Sequence, residues 1–180
     1  MHLLEYVKKN IERFGVVYSD LSTGGQTMNQ ENDVKYFLCD QEAFRWKGLD
    51  VKTYPASGTQ SQGMSKQVLF SGNEHLPTEV RYFEAEPGGY SALERHEHVH
   101  AVLIIRGQGS VLLDGTISTI GAFDTVYVPP HTWHQFYADR DDWLGFLCMV
   151  HCQRDRPQRP SAEDIRQISM DPQIQSRIRW

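Results

Sequence analysis

The stretch "ERHEHVH", residues 94–100, carries an ionisable side chain at every second position. Glu94 is followed at alternate positions by three histidines, His96, His98 and His100. In an extended chain alternate side chains point to the same face, which would present one carboxylate and three imidazoles together. Carboxylate oxygens and imidazole nitrogens are protein ligands of divalent metal ions, so the stretch predicts a metal site.

A fifth candidate ligand, His134, lies further along the chain in "PPHTWHQF". Pro129 and Pro130 favour a turn that would fix the approach of His134 at the start of another strand. A metal ion needs several ligands within about 2 to 2.6 Å, and two strands whose inward faces meet would supply them. We therefore group His134 with the stretch 94–100 as one candidate site.

Short apolar or alternating runs dominate the chain from about residue 66 to residue 151. Examples are "KQVLFSG", "EVRYFEAEPGG", "HAVLIIRGQGSVLLDG" and "WLGFLCMV", and Gly, Pro, Asn or Asp separates most of the runs. Closely spaced short strands without intervening helices are typical of a β-sandwich or a small β-barrel. We therefore assign residues 66–152 to one β domain.

The segments on either side of this domain differ from it in composition. Residues 1–65 are predicted to form an N-terminal helix, over residues 2–14, and an extended arm. Residues 153–180 contain, near their start, the linker "RDRPQRP", residues 154–160. Two short C-terminal helices are predicted to follow, because Ser161 and Asp171 are suited to cap them.

Two segments, "GGYSALERHEHVHAVLIIRG" and "GAFDTVYVPPHTWHQF", resemble the two motifs of the cupin superfamily. The resemblance covers roughly residues 66–150. It implies an all-β fold, an antiparallel jelly-roll β-barrel, with a metal ion inside near one mouth. The motif positions for metal ligands fall on Glu94, His96, His100 and His134, between the motif glycines Gly88 and Gly107 and after Gly121.

The order of the ligand types departs from the usual family pattern. Glu94 stands first and His100 third, so that carboxylate and imidazole are exchanged. A competing register uses His96, His98 and His100, which makes His98 the alternative ligand. His131 occupies a position where the family usually has glycine, and we interpret it as a rim residue or a solvated turn histidine.

The spacing of the preferred ligands predicts a bend within the stretch. Alternate residues of a straight strand lie about 6.6 Å apart along it, so residues 94, 96 and 100 could not reach one ion. We therefore expect one strand to end near His96, a tight turn at residues 97–99, and the next strand to begin at His100.

The resemblance also implies a range of activities and cofactors. The leading expectation is a metal-dependent, dioxygenase-like enzyme that acts on a small oxygenated organic molecule, with Glu94 doubling as the catalytic base. The alternatives are a metal-dependent isomerase or lyase, with Glu94 or His98 moving a proton, and a non-catalytic binding or sensing protein. Three imidazoles and one carboxylate suit one divalent transition metal ion, Fe, Mn, Ni, Co or Zn.

The bulk properties limit the partners. The formal net charge of −5 and a pI near 5.9 argue against nucleic acid, and no apolar run approaches the length of a membrane span. The three cysteines and the absence of a signal-like start predict a cytoplasmic protein, with Cys148 as a small apolar residue of a strand. We also expect a homodimer, because a partner would cover exposed strand edges.

Overall fold

The computed structural model describes residues 38–54 and 61–180, which form ten strands and two short helices. The helix predicted over residues 2–14 lies outside the described residues. The strands are β1 (Cys39–Asp40), β2 (Arg45–Trp46), β3 (Lys52–Thr53), β4 (Gln62–Phe70), β5 (Thr78–Tyr90), β6 (His100–Leu113), β7 (Thr116–Gly121), β8 (Thr125–Val128), β9 (His134–Ala138) and β10 (Leu144–His151). The helices are α1 (Ala162–Ile168) and α2 (Pro172–Gln175).

Four of the strands close into a ring. Strand β5 pairs with β10, β10 with β6, β6 with β9, and β9 with β5, and every pairing is antiparallel. Strands β7 and β8 also pair with β6, while β4 and β3 extend the sheet beyond β5. This arrangement confirms the predicted all-β, antiparallel barrel of the jelly-roll type.

The barrel interior is filled by inward-facing side chains of the alternating strands. On β10 the buried residues Phe146, Cys148 and Val150 alternate with the more exposed Leu147 and Met149. The same period of two holds in β8 and at the start of β6, whereas all five residues of β9 are buried. One continuous apolar cluster of 14 buried residues results, with Ile104, Val111, Val128, Phe136 and Leu144 among them.

The predicted C-terminal helices are present and are capped as expected. Ser161 Oγ accepts from the backbone N–H of Asp164, whose carboxylate accepts in return from the N–H of Ser161. Asp171 caps α2, and Pro172 is its first residue. These helices have seven and four residues, so no helix in the described part of the chain is long and apolar enough to cross a membrane.

The segment after β10 packs against the barrel. Ile168 and Ile178 are buried in a second apolar cluster with Leu93 and Trp133. The side chain of Gln135 fixes the end of the chain: its Nε2 donates to the Arg179 carbonyl at 2.8 Å, and its Oε1 accepts from the Arg179 N–H at 3.0 Å. The tail therefore contributes to the core rather than lying free in solvent.

A buried carboxylate joins the arm before β4 to the barrel. Glu84 on β5 is 1% exposed, and its oxygens lie 2.5 Å from Arg45 Nη1 and 2.5 Å from Arg106 Nη1. The hydroxyl of Tyr82 donates to the same carboxylate at 2.6 Å. Glu84 thus neutralises two guanidinium groups that come from distant parts of the chain.

Replacing Glu84 by glutamine is expected to lower the free energy of unfolding by about 2 to 3 kcal/mol, because two partly buried arginines would lose their counter-ion. Urea denaturation followed by circular dichroism measures this. The control is Glu163→Gln, which removes an exposed carboxylate paired with Arg166 and should leave the midpoint unchanged. Equal shifts for both variants would contradict the buried-network explanation.

Candidate metal centre

The stretch of residues 94–100 is bent in the way that its spacing predicts. Glu94 forms an isolated bridge with His134: each backbone N–H donates to the other's carbonyl, at 3.2 Å and 3.0 Å. The chain then bends at Glu97 and His98, and β6 begins at His100. The bend brings the start of β6 and the start of β9 to one place, so the predicted turn is confirmed.

Three of the five candidate ligands form a cluster. His96, His100 and His134 each offer one ring nitrogen, and these three atoms lie within 4.8 Å of one another. All three residues are buried, with exposures of 1%, 8% and 3%. The ring centroids are 4.5 to 5.3 Å apart. The cluster can therefore hold a metal ion, as the motifs predict.

Hydrogen bonds fix the tautomers of two of the three imidazoles. His96 Nδ1 lies 2.6 Å from the His98 carbonyl oxygen, and His134 Nδ1 lies 2.9 Å from the Thr132 carbonyl oxygen. Because a carbonyl oxygen only accepts, each Nδ1 carries the proton and each Nε2 keeps a lone pair. His96 Nε2 is buried and has no hydrogen-bond partner among the described residues, which fits a nitrogen that binds a metal ion.

The three imidazoles are also held neutral. The pKa of His96 and of His134 is lowered to about 4, mainly by burial and, for His96, also by the neighbouring imidazoles of His134 and His98. Burial, followed by the same neighbours, lowers the pKa of His100 even more. A neutral imidazole is the form that binds a metal, so near pH 7 the cluster needs no deprotonation to do so.

Glu94, predicted as a ligand and as the catalytic base, has a different contact. Its carboxylate lies 3.1 Å from Arg159 Nη1 and is not part of the three-histidine cluster. Burial raises the pKa of the Glu94 carboxyl, and the Arg159 guanidinium opposes that change. Both roles of Glu94 stay predictions.

His98, the alternative ligand, lies against the cluster. Its ring stacks on that of His96 with the centroids 3.6 Å apart, and its Nε2 is 3.2 Å from His100 Nε2. Its Nδ1 lies 2.6 Å from Asp155 Oδ1. The backbone N–H of Glu97, with the His98 ring, lowers the pKa of the Asp155 carboxyl, so Asp155 is a carboxylate. A carboxylate behind an imidazole is the usual support for a metal-bound histidine.

The contacts of His131 agree with a turn residue. It is exposed, its φ of +60° is in the left-handed region that favours the family's glycine, and its N–H donates to the His96 carbonyl at 2.7 Å. Among the motif glycines, Gly107 also has a positive φ, and a Cβ there would collide with the Trp143 carbonyl oxygen. His131 thus lies in the turn before β9, whereas Gly107 lies within β6 where that strand passes close to Trp143.

The ligand registers can be separated by metal content. We expect His98→Ala to weaken metal affinity about 10- to 100-fold, because it removes a possible ligand or its support. Glu94→Ala should change the affinity much less, since its carboxylate is paired with Arg159. Both variants are compared by metal analysis after dialysis against a competing chelator. The opposite ranking would support the register that uses Glu94.

The cluster opens on a cavity of about 340 Å³ inside the barrel. His100 and His134 lie in its wall, together with several apolar side chains, three arginines and the thiol of Cys148. Cys148 is 1% exposed, and its Sγ accepts a hydrogen bond from Arg81 Nη2 at 3.2 Å. The sequence interpretation of Cys148 as a strand residue was right about its burial but did not identify it as part of a cavity wall. The inward period of β10 is the signal that could have done so.

Comparison with known proteins gives a consistent family. The family described as "Cupin domain" matches residues 81–150. A protein of Rhodospirillum rubrum, 1-methylthio-D-xylulose 5-phosphate methylsulfurylase, is 42% identical over 148 residues, which cover 82% of this chain and 94% of that protein. The similarity therefore extends over nearly the whole of that relative.

Two crystal structures are similar in both sequence and fold. A cupin 2 conserved barrel domain protein from Rhodopseudomonas palustris is 44% identical, with a TM-score of 0.75, and the match covers 81% of this chain and 100% of that one. A cupin-2 domain from Rhodospirillum rubrum is 43% identical, with a TM-score of 0.69, and the match covers 73% and 88% of the two chains.

Proposed function

Because the chain belongs to the cupin superfamily, we propose that its barrel encloses a metal-dependent active site that cleaves the carbon–sulfur bond of a 1-methylthio ketose 5-phosphate. The substrate class comes from the methylsulfurylase that matches 82% of this chain. The observation that carries the proposal is the buried thiol of Cys148, which lines the same cavity as His100 and His134. A cysteine thiolate is a nucleophile that can attack sulfur and form an S–S bond with it.

The apolar wall of the cavity suits a methylthio group. Met64, Phe83, Phe136 and Phe146 line it, and the Phe146 ring stacks on those of Phe136 and Phe83 with centroids 4.7 and 5.6 Å apart. A thioether sulfur beside an aromatic ring gains about 0.3 to 1.5 kcal/mol. This wall would hold the methylthio end of the substrate away from water.

In the proposed step the Cys148 sulfur attacks the methylthio sulfur, so that an S–S bond forms and the C1–S bond breaks. The electron pair of the broken bond passes to C1, where the C2 carbonyl stabilises it as an enolate. The thiol gives up one proton and C1 takes one, so the step is balanced. One low-molecular-weight thiol then releases Cys148 by exchange and carries the methylthio group away as a mixed disulfide.

The cavity residues have distinct parts in this step. Burial raises the pKa of the Cys148 thiol, and the Arg81 guanidinium, which donates to Sγ, opposes that change and favours the thiolate. His96, His100 and His134 would hold one divalent transition metal ion, Fe, Mn, Ni, Co or Zn. When bound, this ion would supply a Lewis acid for the ketone oxygen.

The proposal is tested by incubating the protein with 1-methylthio-D-xylulose 5-phosphate and a small thiol under anaerobic conditions, with each of the five metals in turn. Mass spectrometry should detect a 1-deoxyketose phosphate and a methyl mixed disulfide. Without the thiol, the intact protein should gain one methylthio group, on Cys148. Unchanged substrate with every metal would reject the proposal.

Dioxygenase-like chemistry stays a second candidate, because three neutral imidazoles also suit Fe(II). Its distinguishing result is oxygen uptake by the Fe(II)-loaded protein with diols, thiols or enols. Turnover that does not change when oxygen is excluded would favour carbon–sulfur cleavage or the isomerase and lyase alternatives. Tight metal binding without any turnover would favour a binding or sensing protein.

The outer face of the sheet supports the homodimer that we propose for this enzyme. The cross-strand partners Tyr127, Ala101, Met149 and Val80 form an apolar row over four strands, β8, β6, β10 and β5. Tyr127 is 60% and Met149 36% exposed. Light scattering at micromolar protein should give twice the mass of one chain. The Tyr127→Lys protein should have the mass of a single chain. A monomer mass for the unmodified protein would contradict the dimer.

The cytoplasmic location stays a prediction as well.

A further inference from the structure

Two arginines of the segment after β10, Arg154 and Arg159, line the cavity that the histidine cluster opens on. We call them the arginine pair. They flank Pro157, which lines the cavity too. The sequence pattern assigns this segment to a linker, whereas its side chains form part of the cavity wall. The proposed carbon–sulfur cleavage does not use either guanidinium.

The contacts of the arginine pair leave donors available. Arg159 Nη1 lies 3.1 Å from Glu94 Oε2, and its Nε and Nη2 have no partner among the residues that the structure describes. Arg154 Nη2 donates to Glu79 Oε1 at 2.8 Å, and its Nη1 donates to two backbone carbonyls. The side chain of Arg159 is 47% exposed and that of Arg154 is 23% exposed, so solvent and solutes reach both.

This part of the cavity has an excess of positive charge in a chain whose net charge is −5. Three guanidinium groups line the cavity, those of Arg81 and the arginine pair. Two carboxylates oppose them, Glu94 in the wall and Glu79, which pairs with both Arg81 and Arg154. Burial, followed by the charge of Arg81, lowers the pKa of Lys66 on the neighbouring strand β4. A local cationic surplus next to a cavity is a site that concentrates small anions.

We propose that the arginine pair binds the phosphate monoester of the substrate, with Arg81 kept beside Cys148. The identity of the substrate rests on the proposed function, whereas the anion site rests on the arginines themselves. A guanidinium binds phosphate through two parallel N–H donors, which a lysine cannot do. The phosphate end would then be fixed by the segment after β10, and the methylthio end by the apolar wall.

The arginine pair already contacts two glutamates, Glu94 and Glu79, but these ion pairs do not prevent phosphate from binding. In the pairing of Arg159 with Glu94 the arginine side chain is 47% exposed and the glutamate side chain 24%, and ion pairs that water reaches are worth little. A phosphate dianion carries twice the charge of a carboxylate and offers more acceptor oxygens, so it competes well for the same N–H groups. Arg159 is therefore expected to turn from Glu94 towards the anion or to hold both.

Isothermal titration with inorganic phosphate, D-xylulose 5-phosphate and D-xylulose tests the site without requiring turnover. The two phosphates should bind and D-xylulose should not, and higher salt should weaken binding. Arg159→Gln and Arg154→Gln should each weaken it about tenfold or more, the range for a charge-assisted hydrogen bond. Arg156→Gln is the matched control, because it removes the same charge from the same segment at a residue outside the cavity wall, and it should not change the affinity.

Further controls separate this site from a metal site and from the proposed reaction. Binding should persist in the presence of a chelator, and Arg159→Lys should give an intermediate loss while keeping the fold. Loss of phosphate binding on chelation, or equal affinities for Arg156→Gln and Arg159→Gln, would overturn the assignment. Phosphate binding with no carbon–sulfur cleavage would reject the proposed function alone. Cleavage of phosphorylated and unphosphorylated substrates at equal rates would reject the anion site alone.

Discussion

Replacing His134 by alanine is expected to weaken metal binding by about 100-fold or more and to abolish turnover. His134 is 3% exposed, its Nδ1 donates to the Thr132 carbonyl, and its Nε2 faces the cluster as a lone-pair donor. Loss of a residue that only supports a ligand costs 10- to 100-fold in affinity, so loss of a ligand itself should exceed that range. Metal analysis after dialysis and competition with a chelator measure the effect.

The control for this variant is His75→Ala, which removes an exposed imidazole that is not part of the cluster. It should keep both metal and activity. Circular dichroism separates metal loss from unfolding, since the barrel strands do not depend on the His134 ring for their pairing. A His134→Ala protein that keeps its metal at the level of the His75→Ala protein would show that the ion is bound elsewhere.

Replacing Cys148 by serine is expected to lower kcat by at least about 10³-fold while leaving metal content unchanged, in line with the loss of a nucleophile from other enzymes. Serine fills nearly the same buried space beside Arg81, so the fold should be preserved. A hydroxyl is a poor acceptor of a methylthio group, because it stays protonated and is far less nucleophilic towards sulfur than a thiolate. Turnover is followed by release of the methylthio group.

Cys39→Ser and Cys152→Ser are matched controls for the thiol. Both residues are free cysteines of intermediate exposure, and neither lines the cavity. Both variants should retain turnover, and only the Cys148→Ser protein should fail to gain a methylthio group in the absence of a small thiol. Full turnover by the Cys148→Ser protein would remove Cys148 from the reaction.

Local patterns predicted the barrel and the bend well, because both depend on short-range geometry. The alternation in strands such as β10 follows from the opposite directions of successive side chains. The turn before His100 follows from the spacing of residues along a strand, which prevents a straight stretch from converging on one point. The jelly-roll topology came from the resemblance of the motifs, since alternation alone does not distinguish a sandwich from a barrel.

The residues that complete the site were not predictable in the same way. Asp155, behind His98, and the arginine pair belong to "RDRPQRP", whose composition is typical of a solvated linker. Where an irregular segment docks depends on distant contacts, such as the hydrogen bonds between Arg95 and Gln158. No periodicity within the segment encodes that position, so its functional residues emerge only from the folded chain.

The docking of residues 153–159 has a consequence for synthesis on the ribosome. All the barrel strands precede this segment in the chain, so it is translated directly after the last of them. Until Asp155, Arg154 and Arg159 are added, His98 lacks its carboxylate and the cavity lacks two of its three guanidinium groups. The strands hold the imidazole cluster by themselves, and the charged wall is complete only once this segment has docked on the last strand to be made.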